Sequence, residues 1–176
     1  MRWISHITIA AAICAVVNPM AVPAAIAGST APDWLEIVLR PFHQNKKLKH
    51  RGITHYLAAW LAMALFAHFV WDFQGWLFWF AIGGAIHWLC DALTVSGAPL
   101  GWWSDRRMTL FGGKVITGGA AEYVITVVVV VICAVLIWSK RGTPSGFIPF
   151  FYNWGDHYEK GVVDGHEWRT NRFNFI

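Results

Sequence analysis

The run AAEYVITVVVVVICAVLIW, residues 120–138, decides the class of this protein. Glu122 is its only charged residue, and its length is close to the roughly 20 residues that cross a hydrocarbon core. Residues 54–71 and 76–95 form two further apolar runs of similar length. Because lipid offers the backbone no hydrogen-bond partners, such runs must be helical. We therefore predict an all-α fold, a polytopic membrane helical bundle with three transmembrane helices.

The overall composition supports a membrane location. Hydrophobic residues make up 56% of the chain and charged residues only 14%, against about 25% charged residues in a typical soluble domain. Several of the twelve Trp residues fall near the ends of the apolar runs, where aromatic rings favour the membrane interface. A net charge of +4 fits lysines and arginines in loops beside anionic lipid.

The first 27 residues are predicted to form a helical hairpin rather than one full span. Asn18-Pro19 interrupts an otherwise apolar segment, residues 5–27, because proline has no N–H and disfavours helix in the residue before it. Each piece is about half a span long at 1.5 Å per residue, so a hairpin that enters and leaves at one face fits. A secretory signal peptide is the alternative, since Arg2, an apolar stretch and a run of small residues are typical of one.

The loops give an orientation. Loops 28–53 and 96–119 hold five and three Lys and Arg residues, whereas the turn 72–75 holds none. The face that carries both basic loops is therefore predicted to be cytoplasmic. We divide the chain into a membrane-embedded domain, residues 1–141, and a polar and aromatic C-terminal tail, residues 142–176.

Polar residues in and beside the apolar runs suggest a metal site. His87 and Asp91 are four residues apart, which places both on one helix face, and a lone aspartate in a membrane costs a few kcal/mol unless it is paired or bound to metal. The first run begins, the second ends and the third begins at the same face. We therefore predict that seven candidate ligands converge there: His6, Asp33, His50, His55, His87, Asp91 and Glu122.

Imidazole and carboxylate ligands together suit Zn²⁺, with Mn²⁺ or Fe²⁺ as alternatives. Seven candidates exceed the three or four ligands of one zinc ion, so either two or more ions are bound or some of the side chains orient the imidazoles. Such a centre would activate water for hydrolysis. Arg51 is predicted to hold a phosphate and Thr54 to hydrogen-bond a ligand carboxylate or a substrate oxygen; Asp33 or Glu122 is predicted to act as general base if it is not a ligand.

Four segments of the chain resemble the membrane-bound metal-dependent hydrolases called YdjM-like. Residues 50–55, HRGITH, resemble the HRGxTHS signature, and residues 87–94, HWLCDALT, followed by GAPLGWW at 97–103, resemble the HxxxDxxT…G.PLLWP segment. Pro32-Asp33 resembles the PDxD element, and His6 the N-terminal histidine of that family. The resemblance covers roughly residues 5–125.

The resemblance implies a helical metallohydrolase related to zinc-dependent phospholipase C and the P1-type nucleases. By this likeness, the best ligand candidates are His6, Asp33, His55, His87, Asp91 and Glu122, with His50 close behind. Three positions depart from the pattern: Leu35 replaces the second acid of PDxD, Tyr56 replaces a serine, and Gly118 stands where a histidine precedes Glu122 by four residues. One or two ions are therefore expected rather than three.

These observations favour a metal-dependent hydrolase in the inner membrane of a bacterium that cleaves a phosphoester, for which a phospholipid is one candidate, at the cytoplasmic interface. The alternative is a non-catalytic membrane protein with a structural or ion-conducting metal site, or with a partner-binding role. Conduction is disfavoured because the far halves of the spans are apolar. A nucleic-acid partner is disfavoured because residues 40–51 supply only one short basic loop.

Overall fold

The chain is mostly helical, as predicted. This computed structural model describes residues 1–39, 52–72, 75–101 and 104–139. The helices are α1 (Trp3–Val17), α2 (Val22–Leu39), α3 (Leu57–Phe69), α4 (Trp76–Ala92) and α5 (Ala120–Ser139), with short 3-10 turns at Pro19–Ala21 and Ile53–His55. An antiparallel pair of strands, β1 (Ala98–Gly101) and β2 (Ser104–Met108), lies in the segment that the sequence analysis treated as a loop.

The predicted N-terminal hairpin is present, but its second arm is longer than predicted. α1 ends at Val17, one residue before Asn18, and α2 packs back against it. α2 continues to Leu39 although Pro32 lies inside it. Residues 28–39 are therefore helical, although the sequence predicted a loop over residues 28–53.

α4 occupies the centre of the bundle because glycines let its neighbours approach closely. A Cβ on Gly83 would lie 2.2 Å from the carbonyl oxygen of Ala25 in α2, and a Cβ on Gly84 would lie 2.2 Å from the ring of Trp60 in α3. Gly28 makes an equally close contact from α2 to the backbone of Phe80. Small residues allow such close backbone packing between helices in membranes.

The segment after α4 folds over the end of that helix. The N–H of Leu110 donates to the carbonyl of Ala92 at 2.6 Å, and Val115 exchanges hydrogen bonds with Leu93 and Val95 at 3.2 and 3.1 Å. The indole Nε1 of Trp88 donates to the carbonyl of Pro99 at 2.6 Å. The β-hairpin and the loop that follows it are therefore fixed beside the C-terminal end of α4, where Asp91 lies.

Within the described ranges, α5 is the one helix both long and apolar enough to cross a membrane. It contacts α1 along one side, and much of its remaining surface is exposed valine, isoleucine and leucine. α3 and α4 have 13 and 17 residues, fewer than the roughly 20 needed for a full span. Of the three predicted spans, the third corresponds to α5, which has the length and composition of a span. The other two spans stay predictions.

Candidate metal centre

Two overlapping groups of ligand-type side chains meet at one end of the helices. One consists of His6, His87 and Asp91, the other of Asp33, His55 and His87, and in each group the candidate ligand atoms lie within 4.8 Å of one another. The residues come from α1, α2, the turn before α3, and α4. Five of the seven predicted ligands are therefore brought together from four separate segments.

His87 is the residue that both groups share. Its Nδ1 lies 2.7 Å from the carbonyl oxygen of Ser29, and because a carbonyl can only accept, Nδ1 carries the proton. The lone pair is then on Nε2, which lies 3.5 Å from Asp91 Oδ2 and 3.9 Å from Asp33 Oδ1. The backbone of α2 thus fixes the tautomer that presents Nε2 to both carboxylates.

The 3-10 turn before α3 places the His55 ring between Thr54 and Asp33. Its Nδ1 lies 3.0 Å from Thr54 Oγ1 and its Nε2 lies 3.2 Å from Asp33 Oδ1. Trp60 stabilises the turn by donating from Nε1 to the carbonyl of Thr54 at 2.9 Å. The hydroxyl of Thr54 contacts the His55 imidazole, and its predicted contact with a carboxylate or a substrate oxygen stays a prediction.

His6 stacks on His87, with ring centroids 3.9 Å apart and ring planes 12° from parallel. Its Nε2 lies 3.6 Å from Asp91 Oδ1. The α-amino group of Met1 lies 2.7 Å from the same oxygen. Asp91 therefore has a histidine close to each of its two carboxylate oxygens and a cation beside one of them.

Two ring nitrogens at the centre have surroundings that suit metal coordination better than hydrogen bonding. Among the described side chains, His6 Nδ1 and His87 Nε2 are buried nitrogens without a hydrogen-bond partner, a state that calls for an explanation in a folded protein. The His87 Nε2 distances of 3.5 and 3.9 Å exceed those of N–H···O hydrogen bonds. They approach the spacing of about 3.3 Å between ligands that surround one tetrahedral ion at 2.0–2.1 Å.

The two groups do not supply two independent sites. His87 offers only Nε2, because Nδ1 is bound to Ser29, and a neutral imidazole nitrogen has one lone pair to donate. One ion would therefore draw ligands from both groups, or a second ion would bind beside it without His87. Either arrangement agrees with the expectation of one or two ions.

Asp33 is the member of the centre that solvent can reach. Its side chain is 19% exposed, whereas those of His6, His55, His87 and Asp91 are 3% exposed or less. Burial by itself would raise the pKa of Asp33, but the hydrogen bond with His55 and the proximity of His87 outweigh it, so its pKa is lower than usual. Asp33 is therefore an ionised carboxylate at neutral pH and marks the open side of the centre.

Glu122 lies outside both groups of candidate ligands. Its Oε1 accepts hydrogen bonds from the N–H of Arg2 at 2.7 Å and from the hydroxyl of Ser5, and its Oε2 accepts one from the N–H of Gly118 at 2.7 Å. The side chain is fully buried. These contacts join the beginning of α5 to the beginning of α1, next to His6, so the described contacts of Glu122 are those of a residue that positions α1.

Two predicted site residues, His50 and Arg51, lie outside the described residues, as does the tail, 142–176. The Ser29 carbonyl could not be predicted from the sequence, because a backbone acceptor leaves no signal in the residue type. The nearest clue is Pro32 inside α2, which has no N–H to donate to the carbonyl of Gly28, the residue before Ser29.

Comparison with known proteins gives one match. A family model described as YdjM inner membrane protein matches residues 1–152. No curated protein and no solved structure matches the chain. The matched region contains every residue of the metal centre.

Proposed function

The chain belongs to the YdjM inner membrane protein family, and from this premise we propose that it is a metal-dependent hydrolase of the membrane that cleaves a phosphoester. The observation that carries the proposal is the pair of ligand groups that share His87, one formed with His6 and Asp91 and the other with Asp33 and His55. Three imidazoles and two carboxylates are the ligands of hydrolytic zinc sites, and Mn²⁺ or Fe²⁺ would also accept them.

The described residues would hold the ion through nitrogen and carboxylate ligands of fixed orientation. The Ser29 carbonyl orients His87 through Nδ1, which leaves Nε2 of that ring for coordination. Thr54 contacts Nδ1 of His55, and an ion would take the place of the hydrogen bond between His55 Nε2 and Asp33 Oδ1. A Zn²⁺ ion held in this way supplies Lewis acidity and a hydroxide nucleophile near neutral pH. The buried carboxylate of Asp91 and the partly exposed carboxylate of Asp33 would balance the charge of a divalent cation.

Access decides which residue is the general base. Water and substrate would approach the ion from the side of Asp33, because this side chain is partly exposed. Its carboxylate is ionised. Asp33 therefore fits the role of base, or of a ligand at the open side of the ion. Glu122 fits this role poorly, because its two oxygens accept three hydrogen bonds and the side chain is fully buried.

A phosphoester is the proposed substrate class because metal hydrolysis clamps the charged oxygens of a phosphoryl group, and because an inner-membrane enzyme has phospholipids within reach. Arg51, predicted to bind the phosphate, remains part of this proposal. The relation to phospholipase C and the P1-type nucleases that the resemblance to the YdjM-like family implies is a further reason to begin with phosphodiesters.

The experiment compares metal content and hydrolysis in the same samples. The purified chain is analysed for metal and assayed on phospholipids and on a chromogenic phosphodiester, before and after chelation. We expect bound metal, and a loss of activity of about 100-fold or more on chelation that added Zn²⁺ restores. His87→Ala should lose both metal and activity.

The matched control is His68→Ala. His68 is exposed near the end of α3 and contacts Phe69 and Phe78, so its loss removes a histidine but leaves the centre unchanged. A wild type without metal, or a His87→Ala variant that keeps its metal, would refute the metal centre. Metal without turnover of any ester would favour the alternative, a structural metal site in a non-catalytic membrane protein.

A further inference from the structure

Residues 106–116 form a loop that begins with the last three residues of β2, and it presents apolar side chains that nothing in the described structure covers. Phe111 is 88% exposed and Ile116 is 68% exposed. The loop is nevertheless held firmly at its base, since Leu110 and Val115 hydrogen-bond to the end of α4. An exposed aromatic ring on a fixed loop is typical of a surface that contacts another phase or another molecule.

The backbone at the tip is itself unusual. Phe111 has a φ of +50°, and Gly112 and Gly113 have φ values of +76° and +58°. A bulky residue seldom adopts the left-handed region, and such strain often accompanies function. The turn would form with less strain if glycine or asparagine replaced Phe111, so packing within the described fold does not account for the aromatic ring.

The charge of the loop indicates the partner. Arg106, Arg107 and Lys114 are exposed, and residues 106–121 contain no Asp or Glu. Basic residues beside exposed apolar ones are the composition that binds anionic lipid headgroups while apolar side chains enter the acyl boundary.

The position of the loop relative to α5 points the same way. Ile116 precedes Ala120, the first residue of the helix that can cross a membrane, by four positions, and the two are joined by a turn in which the N–H of Gly119 donates to the carbonyl of Ile116 at 2.9 Å. The side chain of Arg2 lies at this end as well, with Nη1 donating to the hydroxyl of Tyr123 at 2.7 Å. The loop therefore leads directly into the surface of the bilayer that α5 enters.

We propose that residues 106–116 form a lipid-contacting loop, in which Phe111 and Ile116 insert among anionic headgroups and the neighbouring basic side chains bind their phosphates. Its partner is the anionic leaflet around the first turn of α5. The proposal does not depend on the hydrolase activity, since a non-catalytic protein with this loop would bind lipid equally. Because the loop is fixed to residues 92–95, it would hold the end of α4 at headgroup level.

The test places a fluorescent bimane label on Phe111→Cys in the full chain, reconstituted in nanodiscs of phosphatidylcholine with or without phosphatidylglycerol. Labelled wild type is the background control, because Cys14, Cys90 and Cys133 are buried. Nitroxide lipids labelled near the headgroup should quench the probe strongly, and aqueous iodide should quench it weakly. In discs with phosphatidylglycerol, Lys114→Gln should reduce the equilibrium constant for loop insertion by about fivefold, the equivalent of the roughly 1 kcal/mol that one basic residue contributes at an anionic surface.

A probe that iodide quenches as fully as free dye, with no quenching by nitroxide lipid, would overturn the proposal and assign the loop to water or to a protein partner. Equal lipid quenching in both kinds of disc, unchanged by Lys114→Gln, would overturn the anionic specificity. If Phe111→Cys does not fold, Ile116→Cys provides the same measurement, since Ile116 has ordinary backbone geometry.

Discussion

Gly83 of α4 faces α2 so closely that a Cβ at this position would lie 2.2 Å from the carbonyl oxygen of Ala25 and 2.8 Å from the backbone nitrogen of Ser29. His87 follows Gly83 by one helical turn and binds the carbonyl of Ser29. The packing of two helices and the orientation of a candidate metal ligand therefore depend on the same contact.

Gly83→Ala should both destabilise the protein and weaken metal binding. The added methyl group has no space against backbone atoms, so α2 and α4 must separate, at a cost of about 1–3 kcal/mol. His87 would then lose its fixed tautomer. Thermal unfolding and metal content in detergent measure the two effects. Leu89→Ala on the same helix is the control, because Leu89 is 48% exposed; equal losses in both variants would contradict the packing argument.

Thr54→Val should lower metal affinity and leave the fold intact. Valine has nearly the shape of threonine but lacks the hydroxyl that contacts His55 Nδ1, and removing such a partner costs about 10- to 100-fold in metal affinity. Competition with a chromogenic chelator measures the change. Thr54→Ser keeps the hydroxyl and should bind metal nearly as well as wild type. A valine variant with unchanged affinity would show that the contact with His55 is incidental.

Glu122→Gln separates the two roles considered for this residue. An amide retains one oxygen and turns an NH₂ group towards a former donor, so at least one of three hydrogen bonds is lost, at a cost of about 1–3 kcal/mol. If Glu122 serves to join α1 to α5, the folded fraction should keep its full metal content. Metal loss greater than the loss of folded protein would instead support the predicted role as a ligand. Ser5→Ala, which removes one donor only, should give a smaller effect on stability.

Phe111→Gly should not destabilise the protein in detergent and should raise its free energy of unfolding by up to about 1 kcal/mol, because glycine adopts a positive φ without strain. The same change should weaken attachment of the loop to anionic nanodiscs. Unfolding in detergent and label quenching at Ile116→Cys in nanodiscs provide the two measurements. A clear loss of stability in detergent would mean that the Phe111 ring packs within the protein.

The sequence predicted the candidate site more completely than the fold. The cost of burying a lone acid led to the prediction that polar residues at the ends of the apolar runs lie close together. The structure brings together five of them: His6, Asp33, His55, His87 and Asp91. The extent of α2 was missed because Pro32 is typical of a helix boundary, whereas here the close contact of Gly28 with α4 keeps the helix continuous.

Residue type did not predict the β-hairpin or the hydrogen-bond partners of the imidazoles. β1 and β2 are short, and Pro99 and Gly101 disfavour a strand; their pairing is supported by the contact of Trp88 with the Pro99 carbonyl, which only the folded chain reveals. The Ser29 carbonyl orients His87 through backbone geometry, which residue type does not encode. Loop charge predicted an orientation, but no such pattern gives the depth at which α3 and α4 lie.

The three hydrogen bonds of Glu122 also have a consequence for synthesis. Arg2 and Ser5 leave the ribosome before their acceptor, which follows more than a hundred residues later, a delay of roughly 6–25 s at 5–20 residues per second. Until Glu122 is made, α1 lacks its contacts with α5, and His6 cannot be held in its final position. Assembly of the metal centre should accordingly be among the last events in the biogenesis of this protein.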